Sequence, residues 1–223
     1  MDSKASATNL QVEDAGVNGL WVDHCKFTDG MCDDRIRNFN HDGAFDIKKG
    51  QNITVSWCEF TNHDKVMLVG SDETNYLEPT ERQITLHHNY YHNTTQRMPR
   101  TRGTQMHVYN NYYQKIGVSG NNGYCLGPGM NAQFIVENNY FDTATFQSSV
   151  STKVIDLKYD NAVTPAIVWS GGNNKTVDRS PFDITGGSKP WEPADFYTYT
   201  LDDNSVLPVQ IPANSGPVLT DNW

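Results

Sequence analysis

Two spaced carboxylates, Asp42 and Asp46, are followed by Lys65 and then by a cluster of arginines, Arg97, Arg100 and Arg102. Asp42-Gly-Ala-Phe-Asp46-Ile-Lys48 opens the stretch, His63-Asp-Lys65 lies in its middle, and Arg97-Met-Pro-Arg100-Thr-Arg102 closes it. Carboxylates bind hard cations through oxygen. Ammonium groups act as compact positive charges, and guanidinium groups fork onto carboxylates. The set therefore predicts a site that holds a divalent cation and an anionic substrate side by side. Taken alone, an Asp-x-x-x-Asp pair or an arginine cluster is usually solvated charge. The prediction depends on a fold that makes these residues neighbours.

Such a fold is written in a repeat. Asn18-GLWVDHCK-Phe27, Gln51-NITVSWCE-Phe60, Arg82-QITLHHNY-Tyr91, Thr104-QMHVYNNY-Tyr113 and Ala132-QFIVENNY-Phe141 align without gaps, at intervals of 33, 31, 22 and 28 residues. A variable period means constant strands joined by variable loops, as in a coil. The third column (Leu20, Ile53, Ile84, Met106, Phe134) and the fifth (Val22, Val55, Leu86, Val108, Val136) are apolar throughout, with a mixed column between them. This period-two alternation is that of strands with one buried face. The eighth column is Cys25, Cys58, Asn89, Asn111, Asn139, and the tenth is Phe27, Phe60, Tyr91, Tyr113, Phe141. An amide can donate to one rung and accept from the next, and aromatic rings stack with large apolar burial. Dipeptides such as Asn122-Gly123 do not fall between matched alternating runs, which argues against hairpins. The reading is an all-β chain, a right-handed parallel β-helix.

Stacked coils rise by about 4.8 Å, so residues some thirty positions apart become neighbours. A second strand precedes each row: Ala44-FDIKK, Val66-MLVG and Met98-PRTRG. Aligning Ile47, Leu68 and Arg100 puts Ala44, Lys65 and Arg97 in one column, with Lys65 and Arg97 one rung apart. The repeat fades after about Thr143. Residues 1–174 are read as the β-helix and 175–223 as an extended tail packed along it through Trp191, Phe196 and Tyr199.

Composition sets the outer limits. With 223 residues, 19% charged and 11% aromatic, the chain can bury one full core. A formal charge of −9 argues against nucleic-acid binding, and no apolar run is long enough to span a membrane. Residues 1–6 lack the basic and apolar regions of a secretory signal. Cys25 and Cys58 occupy adjacent rungs, so a bridge and two buried thiols are both open; Cys32 and Cys125 add no metal-binding spacing. His24, His87 and His88 belong to the repeat rows and are read as hydrogen-bonded structure, and His63 and Asp64 as groups that position Lys65.

Several motifs together resemble the pectate lyase family of polysaccharide lyases: Leu20-Trp-Val-Asp-His24, Asp42-Gly-Ala-Phe-Asp46-Ile-Lys48, Thr54-Val-Ser-Trp57, His63-Asp-Lys65-Val-Met-Leu-Val-Gly70, Leu86-His-His-Asn89 and Arg97-Met-Pro-Arg-Thr-Arg102. The resemblance implies Ca²⁺ held by Asp42 and Asp46, Arg97 as the catalytic base, and Lys65 and Arg102 on the substrate. Arg100 joins them as a further substrate-binding candidate. It also implies a pectate (polygalacturonate) substrate cleaved by β-elimination, a secreted protein and a monomer. A free guanidinium titrates at about 12.5–13.8, and like charges nearby disfavour its protonated form, so an alkaline optimum is expected. One departure stands out: Thr8 occupies the position where the family carries a further aspartate. The family's earlier coils have no counterpart, so the chain is expected to be either a piece of a longer protein or a shortened member. Competing readings are a pectin lyase without calcium, a glycoside hydrolase using paired carboxylates, and a β-helix that binds pectic polysaccharide without cleaving it.

Overall fold

A computed structural model describes residues 8–29, 42–70, 78–118, 123–147, 152–157, 166–171, 173–177 and 188–218. Cys32 lies outside them. The described strands form three six-stranded parallel sheets, and the chain visits each sheet once per coil. The first holds β1 (Leu10–Val12), β4 (Phe45–Ile47), β7 (Leu68–Val69), β10 (Arg100–Thr101), β13 (Tyr124–Pro128) and β16 (Lys153–Ile155). The second holds β2 (Asn18–Asp23), β5 (Gln51–Ser56), β8 (Gln83–His87), β11 (Thr104–Tyr109), β14 (Ala132–Glu137) and β17 (Ile167–Ser170). The third holds β3 (Lys26–Thr28), β6 (Glu59–Lys65), β9 (Tyr90–Gln96), β12 (Tyr112–Ile116), β15 (Tyr140–Asp142) and β18 (Lys175–Thr176). This is a parallel β-helix.

The repeat rows pair in the register their columns predict. Leu20, Ile53, Ile84, Met106 and Phe134 are successive partners, as are Val22, Val55, Leu86, Val108 and Val136. Phe27, Phe60, Tyr91, Tyr113 and Phe141 stack inside the coil with centroids 4.9, 5.1, 4.8 and 4.5 Å apart. Between the second and third sheets the chain turns a corner at a residue with positive φ: His24, Trp57, His88, Asn110 and Asn138 all lie near +50 to +55°. Side chains other than glycine seldom adopt that region. The asparagine that follows holds the corner. Asn111 Oδ1 accepts from the Asn89 backbone N–H at 2.9 Å, and its amide donates to the Leu86 carbonyl at 2.9 Å. The same bonds repeat at Asn89, at Asn139 and, one coil further, at Asn174. Cys25 and Cys58 end the ladder as thiols. The Cys58 sulfur accepts the Cys25 N–H at 3.4 Å, where an amide oxygen would otherwise stand. Burial pushes the Cys58 thiol up to about 12, which makes it a poor nucleophile.

The first sheet departs from the predicted register. Arg100 pairs with Leu68 as expected, but Ile47 pairs with Val69, so Gly43 rather than Ala44 stands beside Lys65. Lys65 itself pairs with Gln96, not Arg97. From Lys65 to Leu68 the chain takes three steps, whereas from Gln96 to Arg100 it takes four. The surplus is absorbed just after Gln96, where Arg97 adopts φ +66°.

Residues 188–206 run along the outer face of the second sheet. Trp191 donates to the Gln133 carbonyl (3.1 Å), Tyr197 bonds Thr85 (2.8 Å) and Tyr199 donates to Glu137 (2.7 Å). Phe196 contacts Trp191 edge-on yet stays 55% exposed, so it does not serve as the buried anchor expected. A short helix, α1 (Leu207–Asn214), buries Leu207 and Ile211 against Tyr112.

Candidate active site

Asp46 projects outward from β4, between the inward, fully buried Phe45 and Ile47. Its carboxylate is fixed on both oxygens. Oδ1 accepts the Leu68 backbone N–H at 2.9 Å, and Oδ2 accepts the Thr8 hydroxyl at 3.0 Å. A Cβ on Gly43 would fall onto this carboxylate, so glycine is needed there for close approach. Burial raises the Asp46 pKa and the negative charge of Asp42 adds to that, while Leu68, Thr8 and the positive charge of Arg97 oppose it. The two carboxylates therefore share one local field with Arg97. Asp42 is half-exposed and meets Lys65, with Oδ1 and Nζ 3.3 Å apart.

The basic side comes from β6, β9 and β10. Lys65 ends β6, on the rung of Gly43. Arg97 lies in the surplus turn after β9, with its carbonyl accepting the Met67 N–H at 2.8 Å. Arg100 starts β10 in the column of Leu68. Arg102 follows two residues on and is largely buried over Gly70, where a Cβ would come within 2.8 Å of the Arg102 carbonyl. The structure thus brings Asp42, Asp46, Lys65 and Arg97 into one group, with Arg100 on the next outward position.

One residue of this group escaped sequence reasoning. Tyr124, the first residue of β13, is 1% exposed and its hydroxyl faces the guanidinium groups of Arg97 and Arg100. Burial raises its pKa, and the two positive charges pull the other way. No column of the repeat marks it, since Tyr124 lies between the aligned rows. Conversely, His63 does not reach Lys65: it is buried with Nε2 2.8 Å from Asp29 Oδ1. The repeat histidines are structural. His24 bonds Asp23 at 2.6 Å, and His88 stacks on Trp57 at 4.4 Å and bonds Asp202 at 3.1 Å.

A hard cation such as Ca²⁺ takes six to eight oxygens. Among the described residues no group of three acidic, histidine or cysteine side chains is arranged to hold a metal ion. The chain offers two carboxylates, and each Asp46 oxygen accepts one hydrogen bond and keeps a lone pair. That donor chemistry fits an oxygen-seeking divalent cation as a partial site, to be completed by solvent or by carboxylates of a ligand. The neutral Thr8 hydroxyl supports Asp46 and brings no charge of its own.

The pectate lyase family profile matches residues 2–215. A pectate lyase of Bacillus subtilis is 34% identical over 216 residues, covering 86% of this chain and 48% of that protein. A pectate trisaccharide-lyase of Thermotoga maritima is 48% identical over 108 residues, covering 46% of this chain and 27% of that protein. Among solved structures, a pectate lyase from Bacillus sp. N165 in complex with trigalacturonate superposes with a TM-score of 0.69 at 26% identity, covering 93% of this chain and 62% of that one. The chain spans about half the length of the Bacillus subtilis relative, and less of the Thermotoga one. On its fold, its outward charge cluster and these relatives, the chain belongs to the pectate lyase family.

Proposed function

We propose that this chain carries the catalytic face of a calcium-dependent, secreted pectate lyase that cleaves (1→4)-α-D-galacturonan by β-elimination to unsaturated oligogalacturonides. The observation that supports it most is the convergence of Asp42, Asp46, Lys65 and Arg97 from successive coils. Asp42 and Asp46 would hold Ca²⁺, whose charge when bound would stabilise negative charge growing on a sugar carboxylate. Lys65 and Arg102 bind uronate carboxylates, Arg102 through its fork. Arg97 takes the proton from C5; the C5–H electron pair becomes the C4=C5 double bond, and O4 departs and is protonated from solvent. Arg100 lies one outward position along and steers a neighbouring uronate.

A second reading has one observation behind it. Thr8 supplies no carboxylate where the family has one, so binding of the polysaccharide without turnover is the competing outcome. The test is the near-ultraviolet absorbance of unsaturated product formed from polygalacturonate, with calcium and with EDTA. Calcium-dependent product is expected, and Arg97→Lys should reduce its rate by at least about a hundredfold. Near-full activity of Arg97→Lys at neutral pH would remove Arg97 from the role of base. Binding without any absorbing product would favour the second reading.

A further inference from the structure

Tyr124 is the buried side chain that meets Arg97 and Arg100 from the next coil. The backbone fixes it there. The Met98 N–H, just after Arg97, donates to the Cys125 carbonyl, just after Tyr124, at 2.7 Å. Arg100 pairs with Gly127, and the Gly127 N–H donates to the Pro99 carbonyl at 2.9 Å. The Tyr124 ring packs against Gly127: a Cβ there would be 2.6 Å from its Cε2 and 3.3 Å from its Cζ. Any larger residue at 127 would push the ring off its seat. The ring is thus clamped from below, its hydroxyl is buried, and that hydroxyl is directed at Arg97 and Arg100.

We infer that Tyr124 is a positioning residue that orients the Arg97 guanidinium for proton abstraction while adding no negative charge beside it. The chemical reason is specific to an arginine base. A carboxylate partner would orient a guanidinium equally well, but its charge would favour the protonated form that cannot accept a proton. A phenol held neutral by burial offers an oxygen lone pair and far less electrostatic bias. The acids of the site stand on a preceding coil, where Asp42 meets Lys65 at 3.3 Å and Asp46 accepts from Thr8 and from the Leu68 N–H. This inference rests on the proposed role of Arg97 as the base.

The test is a double-mutant cycle on the full chain with calcium supplied, following product absorbance. Tyr124→Phe keeps the ring on Gly127 and removes only the oxygen. It should lower kcat about tenfold while KM rises by less than that, because Lys65 and Arg102 hold substrate carboxylates without Tyr124 and only the uronate steered by Arg100 loses support. In an Arg97→Lys background the same change should cost less than about twofold, since the guanidinium it orients is gone. An equal loss in both backgrounds, or an unchanged kcat in Tyr124→Phe, would overturn the inference. Tyr124→Leu serves as the control for packing: a loss caused by packing alone appears in Leu and not in Phe, which would also overturn it. A fully active Arg97→Lys would fail the parent reading instead, and it is scored separately in the same cycle.

Discussion

At the scale of single residues, Asp46 carries a cost that its proposed role as a cation ligand would explain. Burial raises its folded pKa above the unfolded value. The folded chain therefore binds that proton more readily than the unfolded chain does. The corresponding stability is present in acid and is lost as pH rises through the raised value. Near neutral pH without calcium, Asp46→Asn removes the buried charge and keeps an acceptor for the Leu68 N–H. Its melting temperature should rise by about 2–4 °C for each kcal/mol relieved, while at about pH 4 the two proteins should melt together. Calcium should raise the melting temperature of the parent and not of the variant. Calorimetry with EDTA or calcium checks all three, and a variant that melts lower at neutral pH would show that the carboxylate stabilises the fold. The acidic and basic residues were legible in the sequence because their types are rare in core strands. Tyr124 was not, because in sequence it reads as one more tyrosine in a β-rich chain.

At the scale of elements, the ladders were legible because each repeats a single residue type in a fixed column. The second-sheet and third-sheet registers follow directly from those columns. The first sheet has no such column: Ile47, Leu68 and Val69 are all apolar and can trade places without changing the pattern, so the slip by one residue was invisible. The ladders also make contrasting predictions. Asn111→Ala would leave the buried Asn89 N–H and the Leu86 carbonyl without their partners. At about 1–3 kcal/mol for each orphaned group, chemical denaturation should show a loss of roughly 2–6 kcal/mol. Tyr91 is the opposite case. Its hydroxyl is fully buried and has no hydrogen-bond partner among the described residues. Tyr91→Phe should keep the stack on Phe60 and Tyr113 and raise stability by about 1 kcal/mol. If Tyr91→Phe is destabilising, the hydroxyl has a partner that the geometry does not reveal.

At the scale of the whole molecule, a stripe of histidines joins the tail to the coils. Burial lowers His87 to about 4, with the charge of His88 adding to it, and burial also lowers His88 and His107. His88 meets Asp202 at 3.1 Å and His107 meets Tyr197 at 2.6 Å, so both bind the tail. Unfolded imidazoles take protons at about pH 6.5, before the folded ones do. Stability from this stripe is complete above that value and is lost as pH falls toward the folded pKa. Melting temperature should therefore drop between about pH 6.5 and pH 4, and limited proteolysis should cut in residues 188–206 before it cuts in the coils. A flat melting profile over that range would mean the stripe does not govern acid stability. The rows mark His87 and His88 as hydrogen-bonded structure, but the tail partners of His88 and His107 were not readable, because the tail shares no column with the repeat.

The four-step passage from Gln96 to Arg100, set against the three-step passage from Lys65 to Leu68, places the candidate base out of phase with the scaffold. All three sheets keep time with one another, and Arg97 sits on the extra beat. Deleting Arg97 would let the rungs on either side close up and pair as the preceding coil does, with the buried Met98 kept in the core. The turn would return to step, and the guanidinium that neighbours Asp46 and Tyr124 would be gone. Such a deletion should give a protein that melts like its parent and has lost its chemistry, which is a way for this architecture to shed activity in one genetic event while keeping its shape.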